Sequence, residues 1–163
     1  MLINPKIHLS YFANTRLIDI QLERFRDQEK GRFGLVSSEL PLISNLSLKQ
    51  NCALILQYHR HFPTRAAFNE AGKLLALFGL EHKSDLDYSR LHEIDIFIGK
   101  LIRAALLEQA FVVVDRPSEQ LHADFEMSDI IVMIDKLAHC FAACHILEYQ
   151  WEEDHYHGLR RVL

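Results

Sequence analysis

Ala110-Phe111-Val112-Val113-Val114 is an unbroken apolar run, closed by Asp115, Arg116 and Pro117. A run this short and this rich in β-branched residues predicts a strand buried on both faces, as in a parallel sheet with helices above and below it. The proline stops it by removing a backbone donor. Ahead of it, Ile94, Phe97, Ile98, Leu101, Ile102, Ala105 and Leu106 recur at helical spacing and predict a helix over 91–108. Leu48, Cys52, Ile55 and Leu56 do the same for a helix that opens near Asn45 and runs to about Arg60. A further helix is expected over 66–78, with Thr64 as its N-cap candidate and Gly79 as its stop. Phe33–Val36 reads as a short strand, 127–137 as a helix and Phe141–Tyr149 as another strand. In residues 1–33, Ile18, Leu22 and Phe25 fit a short amphipathic helix; a two-strand ribbon followed by a helix fits as well.

This order predicts one α/β domain over 1–163, a mostly parallel central sheet with a helical insertion at about 46–108. Asp115 then lies at the carboxyl end of the central strand, where open α/β sheets place their ligands. A formal charge of −4 gives no general attraction to nucleic acid or to a membrane surface. No apolar stretch approaches the roughly 20 residues of a bilayer span, and the start lacks the basic and apolar regions of a secretory signal. Cys52, Cys140 and Cys144 form an odd set without a CxxC pair, which fits reduced thiols and a cytoplasmic location.

Two stretches carry a family resemblance. Phe33-Gly34-Leu35-Val36-Ser37-Ser38-Glu39-Leu40, with the Asn45-Leu46-Ser47-Leu48 and Asn51 that follow, is similar to the Q-loop strand of an ATP-binding cassette (ABC) ATPase and its sequel. Ala110–Leu121 resembles the Walker B strand and D-loop of that family. Leu101-Ile102-Arg103-Ala104-Ala105 resembles the segment after its signature. The resemblance covers about 33–149 and implies a cassette fold. It also implies family-equivalent nucleotide positions at Ser38 (the Q-loop glutamine), Asp115 (the Walker B aspartate), Arg116 (the catalytic glutamate) and His145 (the switch histidine, with His139 as the other candidate).

The departures weigh as much as the matches. Serine is too short to replace the glutamine, and a guanidinium cannot serve as a base near neutral pH. The signature aligns with Leu91-His92-Glu93-Ile94-Asp95, which offers carboxylates where a phosphate needs glycine backbone. A P-loop needs Gly-x4-Gly-Lys-Ser/Thr. The only Gly-Lys pairs, Gly72-Lys73 and Gly99-Lys100, are each followed by leucine. With only 33 residues ahead of Gly34, the part of a cassette that bears the P-loop is expected to be missing, and the positions above to be vestigial. Asp115 is then expected to cap the next loop or pair with Arg116 or Arg103. Any edge or face of the sheet left open needs cover from residues 1–32 or from a partner.

Other chemistries are weaker. His155 and His157, and His59 and His61, have the i, i+2 spacing that chelates on a strand and not on a helix. His139, Cys140 and Cys144 are further ligand candidates. Cys144 and His145, adjacent in a strand, point to opposite faces and cannot act as a nucleophile–base pair there. The expectation is a non-catalytic, ABC ATPase-like protein without cofactor or resident metal. It is expected to bind a protein: a component of a transport system, a true cassette, or a second copy of itself. The alternatives are a nucleotide-binding protein or ATPase with a non-standard site, and a His-dependent metal-binding protein.

Overall fold

The computed structural model describes residues 2–122, 125–156 and 160–161. In chain order the elements are β1 (Leu2–Ile3), β2 (Ile7–Phe12), α1 (Thr15–Gln28), β3 (Phe33–Val36), α2 (Leu48–Tyr58), α3 (Thr64–Ala76), α4 (Glu93–Ala105), β4 (Ala110–Asp115), α5 (Pro117–Gln120), α6 (Met127–Lys136), β5 (Phe141–Tyr149) and β6 (Arg160–Arg161). β2, β5, β4 and β3 lie side by side in that order, every pair parallel. β1 and β6 form a separate parallel pair.

β4 is buried along its whole length, as its apolar run requires. The pleat divides its side chains between two cores. Val112 and Val114 face the larger core, with α4, α6, α2 and α3. Phe111 and Val113 face a smaller one, under Ile18 and Leu22 of α1. Residues 7–28 thus supply an edge strand and the helix that covers the second face, so that face is covered by the chain itself.

Local signals place most boundaries. Ser47 caps α2 in a reciprocal box, its Oγ accepting from Gln50 N (3.2 Å) while Gln50 Oε1 accepts from Ser47 N (2.8 Å). Asn51, almost fully buried, accepts from Ile43 N at 2.7 Å and donates to Ile43 O at 3.0 Å, clamping the loop before the helix. Pro63, not Thr64, holds the N-cap position of α3; Thr64 is the first helical residue and no side chain caps that end. Gly79 takes φ +68°, the left-handed conformation expected of a helix stop.

One close approach fixes the sheet against the helical layer. A Cβ at Gly34 would stand 2.4 Å from the Ala104 carbonyl oxygen of α4, so only glycine lets these two backbones pack.

On the α1 side, His145 stacks between His8 (4.6 Å between centroids) and Phe111 (4.7 Å), with Phe25 of α1 at 4.9 Å. Burial lowers its pKa from 6.5 to about 4; His8 adds to the drop and Glu29 opposes it. The unfolded chain therefore binds a proton that the folded chain refuses between those two values. Stability falls as pH drops from about 6.5 to about 4 and is unaffected by this group below that. Discounted for partial exposure, the loss is about 1–2 kcal/mol. Urea denaturation across this range should show a shallower pH dependence for His145→Phe than for the parent; identical slopes would remove the assignment.

Candidate functional site

The carboxyl end of β4 is where the sequence points. Asp115 ends the strand with its side chain 2% exposed. Arg116 follows at φ +43°, a left-handed backbone that costs a non-glycine residue and needs compensation. The compensation is visible. The turn folds the arginine back on its neighbour, with Nε donating to Asp115 Oδ1 at 2.8 Å and an Nη to Oδ2 at 2.9 Å. Its backbone N–H reaches across to Leu147 O at 2.9 Å. Of the alternatives for Asp115, pairing with Arg116 is the one present. That bond raises the Arg116 pKa further above its already high range, so the guanidinium stays charged at any ordinary pH.

A polar shell closes around the pair. Ser37 Oγ donates to Asp115 Oδ2 at 3.1 Å. Lys100 of α4 donates to Ser37 O (2.9 Å) and Gln120 Oε1 (3.2 Å). The Gln120 amide donates to Asp115 O (2.7 Å) and Val36 O (3.2 Å). Arg103 donates to Leu40 O and Pro41 O at 2.9 and 3.0 Å, fixing the loop after β3. Burial lowers the pKa of both Lys100 and Arg103. Beside β4, Glu148 is fully buried. It accepts from Ser118 N (3.1 Å), Ser118 Oγ (2.9 Å) and Tyr149 N (3.0 Å). Desolvation raises its pKa, and those bonds pull it back. Tyr149 Oη in turn donates to Glu119 at 3.0 Å and meets Thr15 Oγ1 at 2.9 Å, tying α5 to the start of α1.

The strand and helix expected to be missing are present: the strand–loop–helix unit that bears a phosphate loop in P-loop proteins has a counterpart here. It is β2, the two residues Ala13-Asn14, and α1. A turn this short, without glycine, has no row of backbone amides to wrap a phosphate. Asn14 instead caps the helix, its side chain accepting from Leu17 N at 3.1 Å.

The other expected positions scatter. Ser38 is exposed, and its neighbour Ser37 is the residue that reaches Asp115. His145 sits mid-strand opposite Val113, two residues before the Leu147 that pairs with Asp115, in the α1-side aromatic stack. The signature-aligned stretch is tied up internally. Asp95, buried, accepts from His92 N (3.0 Å) and Lys83 Nζ (2.8 Å), while Glu93 pairs with His122 at 2.8 Å. Cys144 packs in the core on the face away from His145, and burial pushes its thiol pKa up. His155 pairs with Glu152 at 2.6 Å, and His157 lies outside the described residues. Among the described residues no three His, Cys, Asp or Glu side chains converge as metal ligands.

Sequence reasoning missed Ser37, Lys100, Gln120, Glu148 and Tyr149. A signal existed for two of them: Lys100 interrupts the apolar face of α4, and Glu148 interrupts Ile146-Leu147-Glu148-Tyr149 in a buried strand. Charges placed among core positions are held by partners, and here the partners are those of the Asp115 end.

An all-parallel sheet in the order β2-β5-β4-β3, a helical insertion between β3 and β4, and an aspartate ending β4 together define an ABC ATPase-like α/β fold. The chain is similar to the solved dimeric structure of the ATP-binding cassette MJ0796 in a post-hydrolysis state, bound to ADP and phosphate. The TM-score is 0.60 at 13% identity, covering 92% of this chain and 78% of that one. At that identity the likeness is one of fold. No family model and no curated protein matches the chain.

Proposed function

We propose that this protein is a non-catalytic cassette-fold protein that acts by binding another protein, as an accessory or regulatory component of a transport system. The observation that carries the reading is the bidentate Asp115–Arg116 pair. The carboxylate that would serve a metal-bound nucleotide is neutralised from within the chain, at 2.8 and 2.9 Å. The position expected of a base holds that same cation, and the β2–α1 turn offers no phosphate cradle. Among the described residues, the family-equivalent positions thus offer hydrolysis neither a binding loop nor a base, which supports the reading.

Isothermal titration with ATP and magnesium tests this. No saturable heat is expected at millimolar nucleotide. Micromolar binding would overturn the reading in favour of a nucleotide protein with a non-standard site. Partner choice is measured separately by light scattering: a mass twice that of the chain identifies a second copy as the partner, as in the dimeric cassette it resembles. A single-chain mass directs the search to a different protein.

A further inference from the structure

The shell around Asp115 carries a charge imbalance that the cassette reading does not use. Lys100 and Arg103 of α4 are 7% and 9% exposed. Asp115, the carboxylate of this shell, is already taken by Arg116. Lys100 has only neutral partners, Ser37 O at 2.9 Å and Gln120 Oε1 at 3.2 Å. An ammonium has three N–H donors, so one is left over. Among the described residues no carboxylate stands within ion-pair distance of it. Buried charges are normally paired, and this one is not. Burial and the Arg103 charge both push the Lys100 pKa down, whereas an anion in contact would push it up.

The same lysine lines a cavity of about 220 Å³, between the segments that follow β3 and β4 and the first turns of α4. That is the carboxyl end of the sheet, where parallel sheets hold ligands. The volume lies below the roughly 300–1,000 Å³ of drug-sized sites, so an occupant must be small. Pro41, Ile96 and Phe97 give the cavity an apolar wall. Part of that wall is held in place by the chain itself, Arg103 fixing the Leu40 and Pro41 carbonyls at 2.9 and 3.0 Å. Two carboxylates also line it, Glu93 and Glu119. Each has a partner already. Glu93 meets His122 at 2.8 Å; Glu119 accepts from Tyr149 Oη at 3.0 Å and stands 3.8 Å from Arg116. Of the charges on the wall, Lys100 alone lacks a partner that can carry the opposite sign.

We propose that this cavity binds a small monocarboxylate with an apolar body. The carboxylate accepts the third Lys100 N–H in a charge-assisted hydrogen bond, and the body lies on Pro41, Ile96 and Phe97. One cation with Glu93 and Glu119 nearby favours a single negative charge over two, which disfavours phosphate. A neutral or cationic ligand leaves the ammonium as it was.

Titration of the full chain labelled at its isoleucine methyls tests the assignment. Benzoate, benzamide and benzamidinium serve as probes of nearly one shape and three charges. Benzoate is expected to shift Ile96 saturably and to leave Ile134, in the core on α6, unmoved. Benzamide, benzamidinium and inorganic phosphate are each expected to bind at least about tenfold more weakly. Lys100→Met keeps most of the stem and removes the charge. It should weaken benzoate at least about tenfold and leave benzamide unchanged. Equal binding of benzoate and benzamide, phosphate binding tighter than benzoate, or no Ile96 response to benzoate overturns the proposal. So does undiminished benzoate binding by a folded Lys100→Met variant. Should that variant fail to fold, the probe comparison on the parent chain decides by itself.

Discussion

Asp115→Ala lowers stability by about 3–5 kcal/mol, the range for removing one partner of a buried ion pair. The loss is large because the guanidinium left behind keeps only Glu119, half exposed and 3.8 Å away. Arg116 is held at φ +43° by the turn into α5, and its side chain is only 10% exposed. The Ser37 hydroxyl loses its acceptor as well, while the Gln120 bond to the Asp115 backbone oxygen remains. Asp115→Ala/Arg116→Ala is expected to cost less than the sum of its two single changes, because no charge is then left buried alone. Chemical denaturation of the three variants measures this cycle. An aspartate kept for metal and nucleotide would behave differently, its alanine variant being nearly as stable as the parent and defective only in ligand binding. A loss under about 1 kcal/mol would place Asp115 in that second class.

Gly34→Ala is the other large effect, expected at about 3 kcal/mol or more. The added methyl meets a backbone oxygen, Ala104 O, at 2.4 Å, and no rotamer can relieve a contact between two main chains. β3 or α4 must shift, and β3 leads directly into Ser37, so the Asp115 shell loosens with it. Gly72→Ala is the matched control. It lies within α3 with nothing inside 4 Å of the added carbon, and should stabilise by roughly 0.5–1 kcal/mol through helix propensity. Thermal unfolding of the two variants should therefore move in opposite directions. A neutral Gly34→Ala would mean that the sheet and α4 are not held by that approach.

The fold was legible where periodicity was strong. The apolar run of β4 and the stripe of α4 each name one local structure, and each is found. The Ser47–Gln50 box that starts α2 at Leu48 was missed: the expected opening of that helix lies near Asn45. Residues 1–28 were less legible because two patterns overlap there. Ile7, Leu9 and Tyr11 alternate as a strand does, while Ile18, Leu22 and Phe25 step as a helix does, and only Ala13-Asn14 separate the strand from the helix. Within the site, Asp115 and Arg116 were visible because they end a run. Ser37 was hidden by its neighbour: two adjacent serines look alike in sequence, and only the path of the chain beyond β3 decides which turns inward. Lys100 and Glu148 required knowing that helix and strand converge on one end of the sheet, which is information about tertiary packing and not about any window of the chain.

The turn between β2 and α1 bears on how this protein stands to its nucleotide-binding look-alikes over evolutionary time. A phosphate loop needs about eight residues, and here the strand passes to the helix through Ala13 and Asn14 alone. No sequence of point substitutions can lengthen that path. Acquiring such a loop requires an insertion, and the inserted chain must displace the Thr15–Tyr149 contact at the mouth of the helix (2.9 Å) while Arg116 still pairs with Asp115. Each such step would first lower stability and return nothing until the last was complete. The length of this turn therefore separates the chain from a phosphate-loop protein by more than single substitutions can cross.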